Sequence, residues 1–160
     1  MELTVTTAIL ALVATSSMAL VRTAYTAWNR HDDDQLQRQQ AAAVLRHVCR
    51  QVRQARAVMA ISPATDNSGS LSLLMPGGDT FAWEHDNSSK EVTFGIGTAD
   101  SLLARGIEEL NFTATKVDGL TPVTEVGLIH SIRCTVRFNL TRPGGTESVT
   151  VSSRAWVRSW

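Results

Sequence analysis

"ELTVTTAILALVATSSMALV", Glu2 to Val21, is the stretch on which the reading of this chain turns. One glutamate stands directly before nineteen residues, Leu3 to Val21, that carry no charge. As an α-helix this run spans about 28 Å, close to the hydrocarbon thickness of a bilayer. Leu3, Val5, Ile9, Leu10, Leu12, Val13, Leu20 and Val21 give it a membrane-spanning surface. Thr4, Thr6, Thr7, Thr15, Ser16 and Ser17 dilute that apolarity, although their hydroxyls can bond back to the helix's own carbonyls. A cleaved signal peptide fits poorly, because such peptides open on positive charge and this one opens on a carboxylate.

Neither glycine nor proline occurs before Pro63, so the spacing predicts one continuous helix from the start to about residue 62. Beyond Arg22 it becomes amphipathic: Ala41, Leu45, Val48, Val52, Ala55 and Met59 recur at intervals of three and four and form one stripe. The other face carries Arg46, Arg50, Arg53 and Arg56, with no acid nearby in sequence. Between the apolar run and this stripe lies a polar stretch with His31-Asp32-Asp33-Asp34.

After Pro63 the composition shifts to turn-formers, "SPATDNSGS", and then to short apolar runs punctuated by Gly and Pro. Strands are expected at 70–75, 80–84, 91–95, 106–115, 128–141 and 147–158. Ile132, Cys134, Val136, Phe138 and Leu140 alternate onto one face, and Val149, Val151, Ala155 and Val157 do the same in the next strand. "RPGG", Arg142 to Gly145, closes the hairpin. A sheet with one apolar face and a helix with one apolar stripe require each other. The fold class is therefore α+β: a long N-terminal helix whose first half spans a membrane and whose amphipathic second half packs on a small antiparallel sheet. Leu45, Val48, Val52, Ala55 and Met59 meet Ile132, Val136 and Phe138 at the expected contact. Three regions follow: 1–21, 22–62 and 63–160.

Net charge is zero, with thirteen Arg and two Lys, which leaves no broad basic field for nucleic acid. Two cysteines and four histidines fall at no metal-ligand spacing, so no metal or cofactor is expected. Cys49 flanks the helix stripe and Cys134 faces the expected core, leaving two alternatives: a disulfide in an oxidising compartment, or two buried thiols. His47 and His130 have no nucleophile or carboxylate at triad spacing, and no catalytic residue is assigned. "GDTFAWEHD", Gly78 to Asp86, reads as a strand with Phe81 and Trp83 on one face and acids at its exposed end.

The apolar helix opening on a glutamate, followed by an amphipathic half and a small sheet, resembles type IV pilins and the pseudopilins of type II secretion. "ELTVTTAILALVA", Glu2 to Ala14, is similar to the family's Glu-Leu-x-Val-x-x-x-Ile-Leu-x-Leu segment. "LLARGIEELNFTATKVDG", Leu102 to Gly119, with "IRCTVRFNL" and "VTVSSRAWVR", resembles minor pseudopilins of the J type. The resemblance implies a non-enzymatic subunit of a type II secretion pseudopilus or related filament. Its partners would be related subunits, met through the N-terminal helix bundle, and the membrane. It would sit in the cell inner membrane by a single pass, with its C-terminal domain in the periplasm.

The resemblance also gives Glu2 a role in assembly, paired with the amino terminus of a neighbouring subunit. In the family a basic leader ending in glycine is cut by a prepilin peptidase before a phenylalanine, which is then methylated. Neither glycine nor phenylalanine precedes Glu2 here, and by that comparison three residues are missing before Met1, which points to a start placed too late, a trimmed chain or a degenerate copy. Prepilin peptidase is a partner if an upstream leader exists. A rival from another class is a signal-anchored periplasmic binding module whose helix is only a tether.

Overall fold

The computed structural model of the chain describes residues 2–142 and 144–157, with side chains from Leu3 onward. Helix α1 (Glu2–Gln54) is followed by β1 (Ala57–Ile61), β2 (Ser70–Leu74), β3 (Thr80–Asp86), β4 (Glu91–Ile96), β5 (Ser101–Arg105), β6 (Ile107–Thr115), a 3-10 turn at Val126–Leu128, β7 (Ser131–Arg142) and β8 (Gly145–Trp156). Two compact units result, Met1–Gln35 and Leu36–Trp160. The first is helix alone.

The second unit holds the remaining turns of α1 and two antiparallel sheets, one of five strands in the order β1-β2-β3-β4-β5 and one of three in the order β6-β7-β8. Ala41, Val44, Val48 and Val52 are buried from the helix side. They share a core with Leu71, Leu73 and Trp83 of the larger sheet and with Leu110, Phe112, Ile132, Val136 and Phe138 of the smaller. The alternation expected in β7 holds, since Ile132, Cys134, Val136, Phe138 and Leu140 are all at most 1 % exposed. Ser131 departs from it: it is buried, and its hydroxyl shares a 2.6 Å hydrogen bond with Thr115 Oγ1.

The helix is shorter than its sequence suggests. It stops at Gln54, and residues expected to continue it form β1 instead. No glycine or proline marks the change; the competing force is tertiary. Arg56 N–H donates to Leu74 O at 2.8 Å, and β1 then pairs with β2, covering an edge that would otherwise lie open. Hydrogen bonds along a whole strand outweigh a local helix preference of a few tenths of a kcal/mol per residue. Met59, assigned to the helix stripe, falls where the register skips between Val58 and Ala60 and is 52 % exposed. It is a bulge residue and does not pack on the sheet. Ala55 lies just past the helix and is buried.

Strand β5 carries none of the alternation that betrays its neighbours, and the turn separating it from β6 is a single residue. Gly106 has φ +71°, a left-handed conformation that glycine adopts without penalty. At this corner the chain leaves the five-stranded sheet and enters the three-stranded one. A second link joins the sheets: Gly69 N–H donates to Leu110 O at 2.8 Å and Leu110 N–H to Asn67 O at 3.0 Å. In the β7–β8 turn Pro143 lies outside the described residues, while Arg142 Nε donates to Glu147 Oε2 at 2.7 Å.

Candidate assembly surface

The first unit exposes what a soluble protein would hide. Leu3 is 80 % exposed, and Val5, Ile9, Leu10, Leu12, Val13, Leu20 and Val21 all exceed half exposure. An 18-residue window of this helix has a mean hydropathy of 1.8 and none of it is buried. A contiguous apolar surface of this length is disfavoured in water by roughly 25 cal/mol per Å², and the helix is long and apolar enough to cross a membrane.

Three of its hydroxyls bond back to the helix. Thr7 Oγ1 donates to Leu3 O at 3.1 Å, Thr15 Oγ1 to Ala11 O at 3.0 Å and Ser16 Oγ to Val13 O at 2.9 Å. Thr23 and Thr26 repeat the pattern with Ala19 O and Arg22 O. These five hydroxyls therefore add no unmet donor to the surface, as a stretch entering hydrocarbon requires. Glu2 is the first helical residue, but its side chain lies outside the described residues.

In the second unit Val48 and Val52 occupy the core as the helix stripe requires, with Leu45 half-buried beside them. Sequence periodicity missed Val44, which is wholly buried one position before Leu45. It also missed His47. Trp83 Nε1–H donates to His47 Nδ1 at 3.1 Å, and Phe94 stands edge-on to the same imidazole with ring centroids 4.5 Å apart. Burial, and then the adjacent Arg50 guanidinium, push the His47 pKa below its ordinary value. Its position next to Val48 on the helix was the available signal.

His85 is buried in β3, where its Nε2 bonds Ile107 O at 2.8 Å. Its flanking acids turn outward, and Asp86 accepts hydrogen bonds from Ser88 Oγ, Ser88 N and Ser89 Oγ that hold its carboxyl down to about 2. The stretch 78–86 thus puts its histidine in the core and leaves its carboxylates in solvent. Cys49 and Cys134 are both buried free thiols, and burial, with the neighbouring Cys49 second, raises the Cys134 pKa far above the thiol range.

A groove of about 690 Å³ runs along the outer side of the helix, lined by Ala42, Leu45, Arg46, Cys49, Arg50, Arg53, Gln54 and Ser153. Its three arginines are exposed. Arg46 Nε donates to Ala42 O at 3.2 Å, and among the described residues no carboxylate pairs with Arg46, Arg50 or Arg53.

Among solved structures, the type IV-like pilin TTHA1219 from Thermus thermophilus superimposes with a TM-score of 0.56 over 75 % of this chain and 96 % of that one, at 8 % sequence identity. The fold is pilin-like. At that identity the likeness is one of architecture: a long N-terminal helix against antiparallel sheets. No protein-family model and no curated protein sequence matches the chain.

Proposed function

We propose that the chain is a non-enzymatic, membrane-anchored subunit of a pilin-like filament, and within that class a minor pseudopilin of a type II secretion pseudopilus. The observation that carries this reading is the exposed, uncharged helical surface from Leu3 to Val21 on a chain with a pilin-like fold. The sequence likenesses at Glu2 to Ala14 and Leu102 to Gly119 support the pseudopilin assignment. The helix crosses the inner membrane once, and the β domain lies in the periplasm.

Glu2 has the specific role in this reading. A carboxylate at the first turn of a helix gains from the helix dipole, but in a membrane it still requires a cation. The amino terminus of a neighbouring subunit supplies one. Where an upstream leader is encoded, prepilin peptidase removes it and methylation of the new terminus follows.

The test expresses the full chain with its co-encoded partners and isolates the assembled material from membranes. Glu2→Ala or Glu2→Lys is expected to reduce incorporation while leaving membrane insertion intact. Replacing Leu3 to Val21 with an unrelated anchor is expected to abolish incorporation. If both variants assemble as the natural chain does, the helix is a tether and the protein is an anchored periplasmic binding module.

A further inference from the structure

We propose that the groove bearing Arg46, Arg50 and Arg53 receives the acidic run Asp32-Asp33 of a second copy of this chain, setting the stagger between neighbouring helices. Arg46, Arg50 and Arg53 follow one another at intervals of four and three, so they project from one side of the helix into one groove of about 690 Å³. Like charges at this spacing repel, and no carboxylate among the described residues relieves them. Arg53 lies in the last turn, where the helix dipole favours a cation, but Arg46 lies two turns earlier and gains nothing from that source. The floor is Ala42, Leu45 and Ser153, small or apolar side chains that leave room for a helix to approach.

The charge that complements this groove is present in the chain itself. Asp32 and Asp33 are exposed residues of the same helix. Within one helix, side chains meet only at separations of three or four, and Arg46 follows Asp33 by thirteen positions. Asp33 has Arg30 three positions before it on its own helix, but these acids and the groove's arginines can meet only between copies. This step rests on the membrane-anchored reading above: an anchor orients every copy the same way, so the helices run parallel. A stagger of fourteen residues pairs Asp32 with Arg46, and one of eighteen pairs it with Arg50.

The experiment co-expresses two differently tagged full-length copies and measures their co-purification from detergent-solubilised membranes. Reversing the groove in both copies (R46E, R50E, R53E) is expected to lower co-purification roughly tenfold or more, and reversing the acids (D32K, D33K) to do the same. A groove-reversed copy mixed with an acid-reversed copy has attraction in both contact directions, and recovery to the natural level is expected. Co-purification that stays low in the mixture, or that reversal leaves unchanged, overturns the proposal. If the groove-reversed chain fails to fold, the neutral set R46Q, R50Q, R53Q replaces it, with loss again expected and unchanged association overturning the contact.

Reconstitution into phosphatidylcholine vesicles with and without phosphatidylglycerol identifies the other occupant. Association that requires the anionic lipid and ignores Asp32 and Asp33 assigns the groove to a headgroup and overturns the proposal. Replacement of Leu3 to Val21 separates the two readings. If that change abolishes co-purification and the charge reversals do not, assembly stands and the arginine contact fails; if neither change matters, assembly itself fails.

Discussion

Trp83 donates its indole N–H to His47 Nδ1 at 3.1 Å, tying strand β3 to the helix through two aromatic rings. The bond requires His47 to be neutral at Nδ1, and burial favours that same form. The folded protein therefore binds the His47 proton less tightly than the unfolded chain, whose histidine takes it up near pH 6.5. Below that pH the unfolded state holds more protons, and stability is lost as pH falls through the folded pKa; above it the contribution is complete. Chemical denaturation between pH 8 and pH 5 is expected to show this loss, and His47→Gln to flatten it. Asp86 adds a second acid-sensitive step, because its folded pKa of about 2 means stability present near pH 5 is lost on the way to pH 2.

Gly106 and Gln37 form a steric pair. A Cβ on Gly106 would run into the Gln37 amide, and the backbone there is left-handed. Gly106→Ala is expected to cost about 1–2 kcal/mol, mostly backbone strain, because the Gln37 amide ends a flexible side chain and can shift. Adding Gln37→Ala should return the steric part and leave the backbone strain of about 1 kcal/mol, a coupling that urea unfolding of the single and double variants measures.

Met59 and Val52 were indistinguishable as members of one periodic stripe, and the structure separates them. Val52→Ala is expected to destabilise by about 2 kcal/mol, because it empties volume in a close-packed core. Met59→Ser, at an exposed bulge, is expected to change stability by less than about 0.5 kcal/mol. Thermal unfolding of the two variants, at matched concentration and detergent, compares them directly.

The paired cysteines predict a chemical silence. Cys134 is inaccessible and its thiolate is strongly disfavoured, so neither condition for alkylation is met while the protein is folded. Iodoacetamide is expected to leave Cys134 unmodified in native buffer and to label it fully in urea, as intact mass would show. In protein recovered from an oxidising compartment, a mass two units lower and no labelling in urea would identify the disulfide alternative, whose formation closes a long loop for about 4 kcal/mol.

Much of the architecture could be read from periodicity. The nineteen uncharged residues, the Ala41 to Val52 stripe and the alternation in β7 each express one physical demand over many positions, and such repetition survives a few exceptions. Features settled by a single contact with distant sequence could not be read in this way. Strand β1 looked helical because its hydrogen-bond partner, Leu71–Leu74, lies ten or more residues away, and no local signal outranked helix preference. Strand β5 and the Gly106 corner shared that obscurity, as did the His47–Trp83 bond, whose members are 36 residues apart. At the assembly surface the apolar residues were evident from composition. The arginine groove needed the fold, because Ser153 of β8 supplies part of its wall.

The inward hydrogen bonds of Thr7, Thr15 and Ser16 bear on how the bare helix selects its company. With these three hydroxyls turned to their own backbone, the surface around them offers methyl and methylene groups in place of donors. Under the assembly reading a neighbouring helix would recognise this stretch by its relief, so an unrelated anchor with a different profile of bumps and hollows loses the fit even at equal hydrophobicity.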